Sequence, residues 1–251
     1  MILFSPFEQF ITKEIYFSDY NLIITDQLVY MVLILGIFTS LTIFLISTKK
    51  RKINIFRKYF SIIYSFVHGL INSYLRYSIT NLYFPFLFYL FLSILVLNLA
   101  GLLPNIYTLT SNFYVNIGLS SIVWFGVLII GLQRKGLGFM HMFYPGGASA
   151  ALMILLGVIE LMSWIFRVFS LALRLLANMI AGHILLYCIS YMAFEFLSSI
   201  FVGFNISILN VLLSLLPFGA FVFFMFFESG VALLQAYIFL VLSCIYINEV
   251  Y

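Results

Sequence analysis

The chain has 251 residues, of which 65% are hydrophobic and only 8% charged, with a formal net charge of +4 and a mean hydropathy of +1.18. A soluble domain carries about 25% charged residues, and a globular fold of this size could not bury so much apolar surface. The composition excludes a soluble enzyme, a nucleic-acid binder and a disordered chain, and it predicts an all-α, polytopic membrane protein forming one membrane domain over residues 1–251.

Residues 1–27 carry Glu8, Lys13, Glu14, Asp19 and Asp26, so no classical secretory signal is expected there. The first apolar run, Leu28 to Ser47, predicts a span over 28–48, since about 20 helical residues cross a hydrocarbon core of about 30 Å. Lys49, Lys50, Arg51 and Lys52 follow directly. With Arg57 and Lys58 they make six of the 12 basic residues, which fits a juxtamembrane anchor on an anionic leaflet rather than a nucleic-acid site. Over 53–80 the pattern changes. Phe56, Phe60, Ile63, Val67, Leu70, Ile71 and Tyr74 recur at three- and four-residue steps, while Arg57, Lys58, Ser61, His68, Asn72 and Arg76 take the other face. This spacing predicts an amphipathic helix on the inner surface or against the bundle.

Further spans are expected over 83–103, closed by Pro104, and over 113–132, followed by Arg134 and Lys135. The connection 104–112 carries no charge. The positive-inside rule then places the N-terminus outside, the 49–52 cluster inside, 104–112 outside and Arg134/Lys135 inside. The last hundred residues read as two helices, 150–191 and 205–248, each too long for a perpendicular span. They are expected to tilt steeply and to form an antiparallel hairpin. Small residues (Ser170, Ala172, Ala177, Ala181 and Gly182; Ser229, Gly230, Ala232 and Ala236) allow close helix approach. No inverted repeat is seen. Cys188 and Cys244 lie in apolar runs without metal or redox spacing and read as core thiols.

Ionisable groups inside a bilayer are costly and are functional candidates by default. Glu160, Arg167 and Arg174 stand at seven-residue steps on one helix face, continued by Asn178; Glu228 and Gln235 are also seven apart. Arg174 falls midway along a long apolar helix. Its guanidinium stays protonated and needs a counter-charge or water. For a purely structural pair, Glu160 is too far, about 21 Å along the same helix, and Glu228 is a possible partner. If Arg174 lies level with Gln235 on an antiparallel neighbour, His183 comes level with Glu228 within about 3 Å, but on the side of the helix away from Arg174. The residues thus offer a fixed cation on one side and a His–carboxylate pair suited to proton relay on another.

The segment SLALRLLANMIAGH (170–183) resembles subunit a of F-type ATP synthases of the mitochondrial type, and ESGVALLQAYIFLVLSCIYINE (228–249) resembles the last helix of that family. So do FSPFEQF (4–10), FLSILVLNLAGLLPNIYTLTS (91–111) and GLQRKGLGF (131–139), in the family's order along essentially the whole chain. The resemblance implies a proton-conducting stator subunit facing a ring of c subunits. It implies that Arg174 meets the ring carboxylate and separates two half-channels. It places His183, Glu228, Asn178 and Gln235 on the proton path, with the His and Glu positions often exchanged in bacterial members. Glu160, nearer the inner end than Arg174, is expected at the inner exit; the alternative is a structural pair with Arg167 or a neighbouring subunit. Implied partners are the c-ring, peripheral-stalk and other membrane subunits, and lipids, cardiolipin among them. The implied location is the mitochondrial inner membrane, with the N-terminus in the intermembrane space and the C-terminus in the matrix. No cofactor, metal, nucleotide site or nucleic-acid partner is expected. The rivals are a secondary transporter with a midplane arginine for an anionic substrate, a haem-bearing respiratory subunit, against which the three isolated histidines argue, and a structural stator subunit, which would not need Arg174.

Overall fold

The computed structural model describes residues 14–17, 23–25, 28–34, 36, 39, 55–103, 108–136, 138–139, 150–202 and 208–251. Its long elements are helices: α1 (Ile55–Tyr74), α2 (Tyr77–Gly101), α3 (Phe113–Lys135), α4 (Ala150–Val202) and α5 (Ile208–Val250). Four helical stretches are long and apolar enough to cross a membrane: Ser78–Gly101, Phe113–Lys135, Leu155–Phe196 and Leu215–Val250. Residues 28–34, 36 and 39 are helical. The remainder of the expected first span and the 49–52 basic cluster lie outside the described residues.

Three features depart from the sequence expectations. Glu14–Phe17 and Ile23–Thr25 pair as a short antiparallel ribbon, an addition to an otherwise all-α fold; the two strands carry β-branched and aromatic residues. The single helix expected over 53–80 divides at Leu75–Arg76. Arg76 adopts an extended conformation (ψ 145°) and starts α2, so residues 77–80 belong to the next helix. At its far end α4 runs to Val202 rather than stopping at 191. There the Tyr191 hydroxyl donates to Glu195 Oε1 at 2.7 Å, an i,i+4 link that supports the added turns.

Local chemistry sets the ends of α3. The Asn112 side chain accepts from the Tyr114 N–H at 3.0 Å and caps its start. Arg134 and Lys135 lie in its last turn, and Gly136 leaves it at φ 54°, a left-handed conformation that glycine takes without strain.

The C-terminal half of α5 forms the centre. Ala232, Ala236, Phe239, Leu240, Ser243, Cys244, Ile247 and Val250 are all buried, at helical spacing. They are packed by α1, α2, α3 and α4. Val67 and Ile71 of α1, Leu87 and Ile94 of α2, Val123 and Val127 of α3, and Leu171 and Leu175 of α4 complete the core. Small side chains at Ala172, Ala232 and Ala236 are almost fully buried, as expected where close van der Waals fit rather than water exclusion drives helix association. Only one stripe of α4 is covered in this way. Leu155, Val158, Ile159, Phe166, Phe169, Leu173 and Leu185 are exposed on the uncovered side of the helix and need lipid or another apolar protein surface.

Candidate functional site

The region where α4 and α5 meet gathers most of the polar side chains singled out in the sequence. Gly182 of α4 lies directly against Glu228 of α5: a Cβ built on Gly182 would stand 2.6 Å from the Glu228 carboxyl carbon. Only glycine leaves this space. Glu228 is 6% exposed, and neither carboxylate oxygen has a hydrogen-bond partner among the described residues. His183, the next residue on α4, turns its ring toward α2. Its Nε2 lies 3.8 Å from where a Cβ on Gly101 would be, beside the Thr108 side chain. The two titratable groups therefore share one level of the helix pair without a direct hydrogen bond between them.

Around this pair the interior is polar in a way the sequence reading missed. Asn98 is fully buried. Its amide lies 3.5 Å from the Ala232 carbonyl, one turn from Glu228, and its Oδ1 has no partner among the described residues. Asn116 donates to the Thr110 carbonyl at 2.7 Å, while its own Oδ1 and the Thr110 hydroxyl are without partners among the described residues. The Thr108 hydroxyl donates to Ser111 Oγ at 2.7 Å. Burying such groups dry costs free energy, and the usual remedy is water. The available signal was two asparagines, Asn98 and Asn116, inside apolar runs that flank an uncharged 104–112 connection.

The other predicted residues are spread along the helices. Gln235 is buried at 7% exposure, two turns from Glu228. Asn178 and Arg174 are half-buried on α4. Among the described residues Arg174 has no ion pair. Glu160 is half-buried and does not pair with Arg167. That alternative is corrected: Arg167 forms an ion pair with Glu249 of α5 and lies over the Tyr246 ring, 4.9 Å from its centroid. The reach of a seven-residue step, about 10 Å, separates Glu160 from Arg167, whereas α5 brings Glu249 alongside. Of the two free thiols, Cys244 is buried but Cys188 is exposed, contrary to its reading as a core thiol. An exposed position on the uncovered side of α4 suits a small hydrophobe equally well. Among the described residues no cluster could hold a metal ion.

These elements define a multi-pass helical membrane protein whose interior carries a polar, titratable seam. The ATP synthase A chain family matches residues 28–248. The chain is 34% identical to ATP synthase subunit a of Candida glabrata over 98% of its own length and 94% of that protein. It is 34% identical to the Acanthamoeba castellanii protein of the same description over 100% of this chain and 98% of the relative. The Marchantia polymorpha protein is 33% identical over 98% of this chain and 97% of its own. The chain belongs to the ATP synthase A chain family and is a proton-translocating membrane subunit of F-type ATP synthase.

Proposed function

We propose that this chain provides two aqueous half-channels to a ring of c subunits and that Arg174 separates them. The observation that carries the reading is the buried Glu228 carboxylate, lying against Gly182 beside His183 and without a hydrogen-bond partner among the described residues. An ionised carboxylate at that depth requires water or a cation. The buried Asn98 Oδ1, Thr110 hydroxyl and Asn116 Oδ1, without partners among the described residues, support a hydrated route reaching it from the 108–112 side, which we read as the outer half-channel.

In this mechanism Glu228 and His183 accept protons from outer water and hand them to a ring carboxylate near Gln235 and Asn178. The ring carries the neutral acid through lipid. On return the carboxyl loses its proton to the inner side, where Glu160 accepts it. The ionised carboxylate then passes Arg174. Opposite charges 4 Å apart attract by about 4 kcal/mol at an effective dielectric near 20, which offsets part of the desolvation and keeps the acid ionised. The same cation repels protons and closes the direct path between the half-channels. Each proton crossing gains about 2.3 kcal/mol per 100 mV, which rotation delivers to ATP synthesis elsewhere in the complex.

We read the two long helices as an antiparallel, steeply tilted hairpin. Opposed contacts support this: Arg167 with Glu249, and Gly182 with Glu228. At about 80 Å, the 53 residues of α4 far exceed the hydrocarbon thickness. The uncovered apolar side of α4 is assigned to the ring. Peripheral-stalk and other membrane subunits, with lipids such as cardiolipin, cover the remainder. The location is the mitochondrial inner membrane, N-terminus toward the intermembrane space and C-terminus toward the matrix. Glu228→Gln tests the reading: ATP-driven proton pumping should be lost while the complex assembles, and pumping at the unmodified rate would refute it.

A further inference from the structure

His183, Tyr187, Tyr191 and Glu195 stand at four-residue steps on α4. Each step advances about 6 Å along the axis and turns about 40°, so the four side chains follow one ridge of the helix. The channel mechanism uses the first and has no role for the other three. Exposure rises along the ridge: His183 and Tyr187 are half-buried, whereas Tyr191 and Glu195 are exposed. At its far end the Tyr191 hydroxyl donates to Glu195 Oε1 at 2.7 Å. Glu195 stands one residue short of the end of the apolar stretch Leu155–Phe196, where a span meets water. Its neighbours Met192 and Phe194 are exposed hydrophobics, and among the described residues it has no ion pair. At its near end the ridge reaches His183, which lies beside Thr108. There the single helical turn Leu109–Ser111 packs on α4.

We propose that Glu195, Tyr191 and Tyr187 form a proton-collecting ladder that carries protons about 18 Å from outer water to His183. This inference rests on the half-channel reading above, in which α4 starts on the inner side and ends on the outer. Ionised Glu195 takes a proton from water and becomes a neutral carboxyl. Its O–H then donates to the Tyr191 oxygen, reversing the hydrogen bond, and the Tyr191 hydroxyl rotates inward. As the Glu195 O–H bond breaks, a new O–H bond forms on Tyr191, and the original Tyr191 proton passes to Tyr187 directly or through one water. Tyr187 repeats the exchange toward His183, whose imidazole ends as the cation. Both phenols finish neutral, Glu195 finishes ionised, and one proton has moved from outer water to His183, level with Glu228. A tyrosine suits the middle of such a ladder because one oxygen both donates and accepts. A carboxylate suits its entrance because its charge attracts protons from solution.

The competing role for Tyr191 and Glu195 is a link that merely holds the last turns of α4, and two variants separate the roles. Glu195→Gln keeps an oxygen that accepts from Tyr191 but cannot take up a proton. Tyr187→Phe leaves that link whole and removes a hydroxyl from the middle of the ladder. The assay is ATP synthesis by the assembled complex in membrane vesicles, driven by an imposed gradient that sends protons in from the outer side. Each variant should lower the rate at least about threefold with the c-ring still co-isolating, since water replaces a missing link only in part. Tyr187→Phe decides the matter alone where Glu195→Gln does not assemble. The double variant should be about as slow as the slower single one, because one break already interrupts the ladder. A smaller fall in either assembled variant, or losses that multiply in the double variant, would overturn the proposal. Arg174→Ala in the same series reports on the half-channel reading separately. Normal synthesis there would sink that reading, whereas a silent Arg174→Ala beside unaffected ladder variants would sink the ladder alone.

Discussion

Gly182→Ala should disable proton access without dismantling the fold. The added methyl would stand 2.6 Å from the Glu228 carboxyl carbon, well inside contact distance, so one of the two must move. The Glu228 side chain is the softer element: neither oxygen is held by a hydrogen bond among the described residues, whereas small-residue packing at Ala232 and Ala236 fixes the α5 backbone. Overpacking of this kind costs about 1–3 kcal/mol, which a bundle packed on four sides should tolerate. The functional cost is larger, since displacing a transferring group by about 1 Å can lower a rate about a hundredfold. Pumping of protons into vesicles, followed by quenching of a pH-sensitive dye, should fall between about tenfold and a hundredfold with the c-ring still co-isolating. Shortening the acid should relieve the clash, because Glu228→Asp draws the carboxyl back by about one bond, 1.5 Å. The pair Gly182→Ala with Glu228→Asp should therefore outperform Gly182→Ala alone. Unimpaired pumping by Gly182→Ala, or strictly additive losses in the pair, would show that Glu228 does not work from its position against Gly182.

Exchanging the two titratable residues, His183→Glu with Glu228→His, should retain more pumping than either single change, and a double-mutant cycle with additive losses would deny their coupling. Arg174→Lys should abolish ATP synthesis in assembled complexes, because an ammonium is more compactly hydrated and can deprotonate when buried; synthesis near the normal rate would count against a guanidinium-specific role. Glu160→Gln should slow proton release on the inner side with assembly intact, and unchanged flux would remove this residue from the exit. Asn98→Leu, which replaces a buried amide whose Oδ1 has no partner among the described residues, should stabilise the bundle slightly yet reduce proton access several-fold, about the effect of interrupting one hydrated step. Equal pumping by Asn98→Leu and the unmodified chain would place the water route elsewhere.

The sequence disclosed the helices where apolar runs and charges mark their limits, as at Phe113–Lys135, where Asn112 caps one end and Arg134, Lys135 and Gly136 close the other. It was less informative where boundaries depend on tertiary context. The break at Leu75–Arg76 carries neither proline nor glycine, and Tyr191 and Glu195 extend α4 through a side-chain link that composition does not announce. Register arithmetic brought His183 level with Glu228, and the structure sets Glu228 against the adjacent Gly182. The same arithmetic could not show that Arg167 would find Glu249 across the helix pair rather than Glu160 along its own helix. Asn98, Thr110 and Asn116 escaped notice because an uncharged amide or hydroxyl in an apolar run is ordinary until its burial and missing partners are known.

The role of Arg174 as both ring-carboxylate partner and barrier between half-channels is tested most directly by Arg174→Ala in membranes carrying the assembled complex, with ATP synthesis and passive proton conductance measured on the same vesicles. Removal of the cation should abolish synthesis and raise passive conductance, because one residue then no longer holds the ring acid ionised or repels the proton between the two water paths. Synthesis at the normal rate in Arg174→Ala vesicles, with conductance unchanged, would contradict both functions at once.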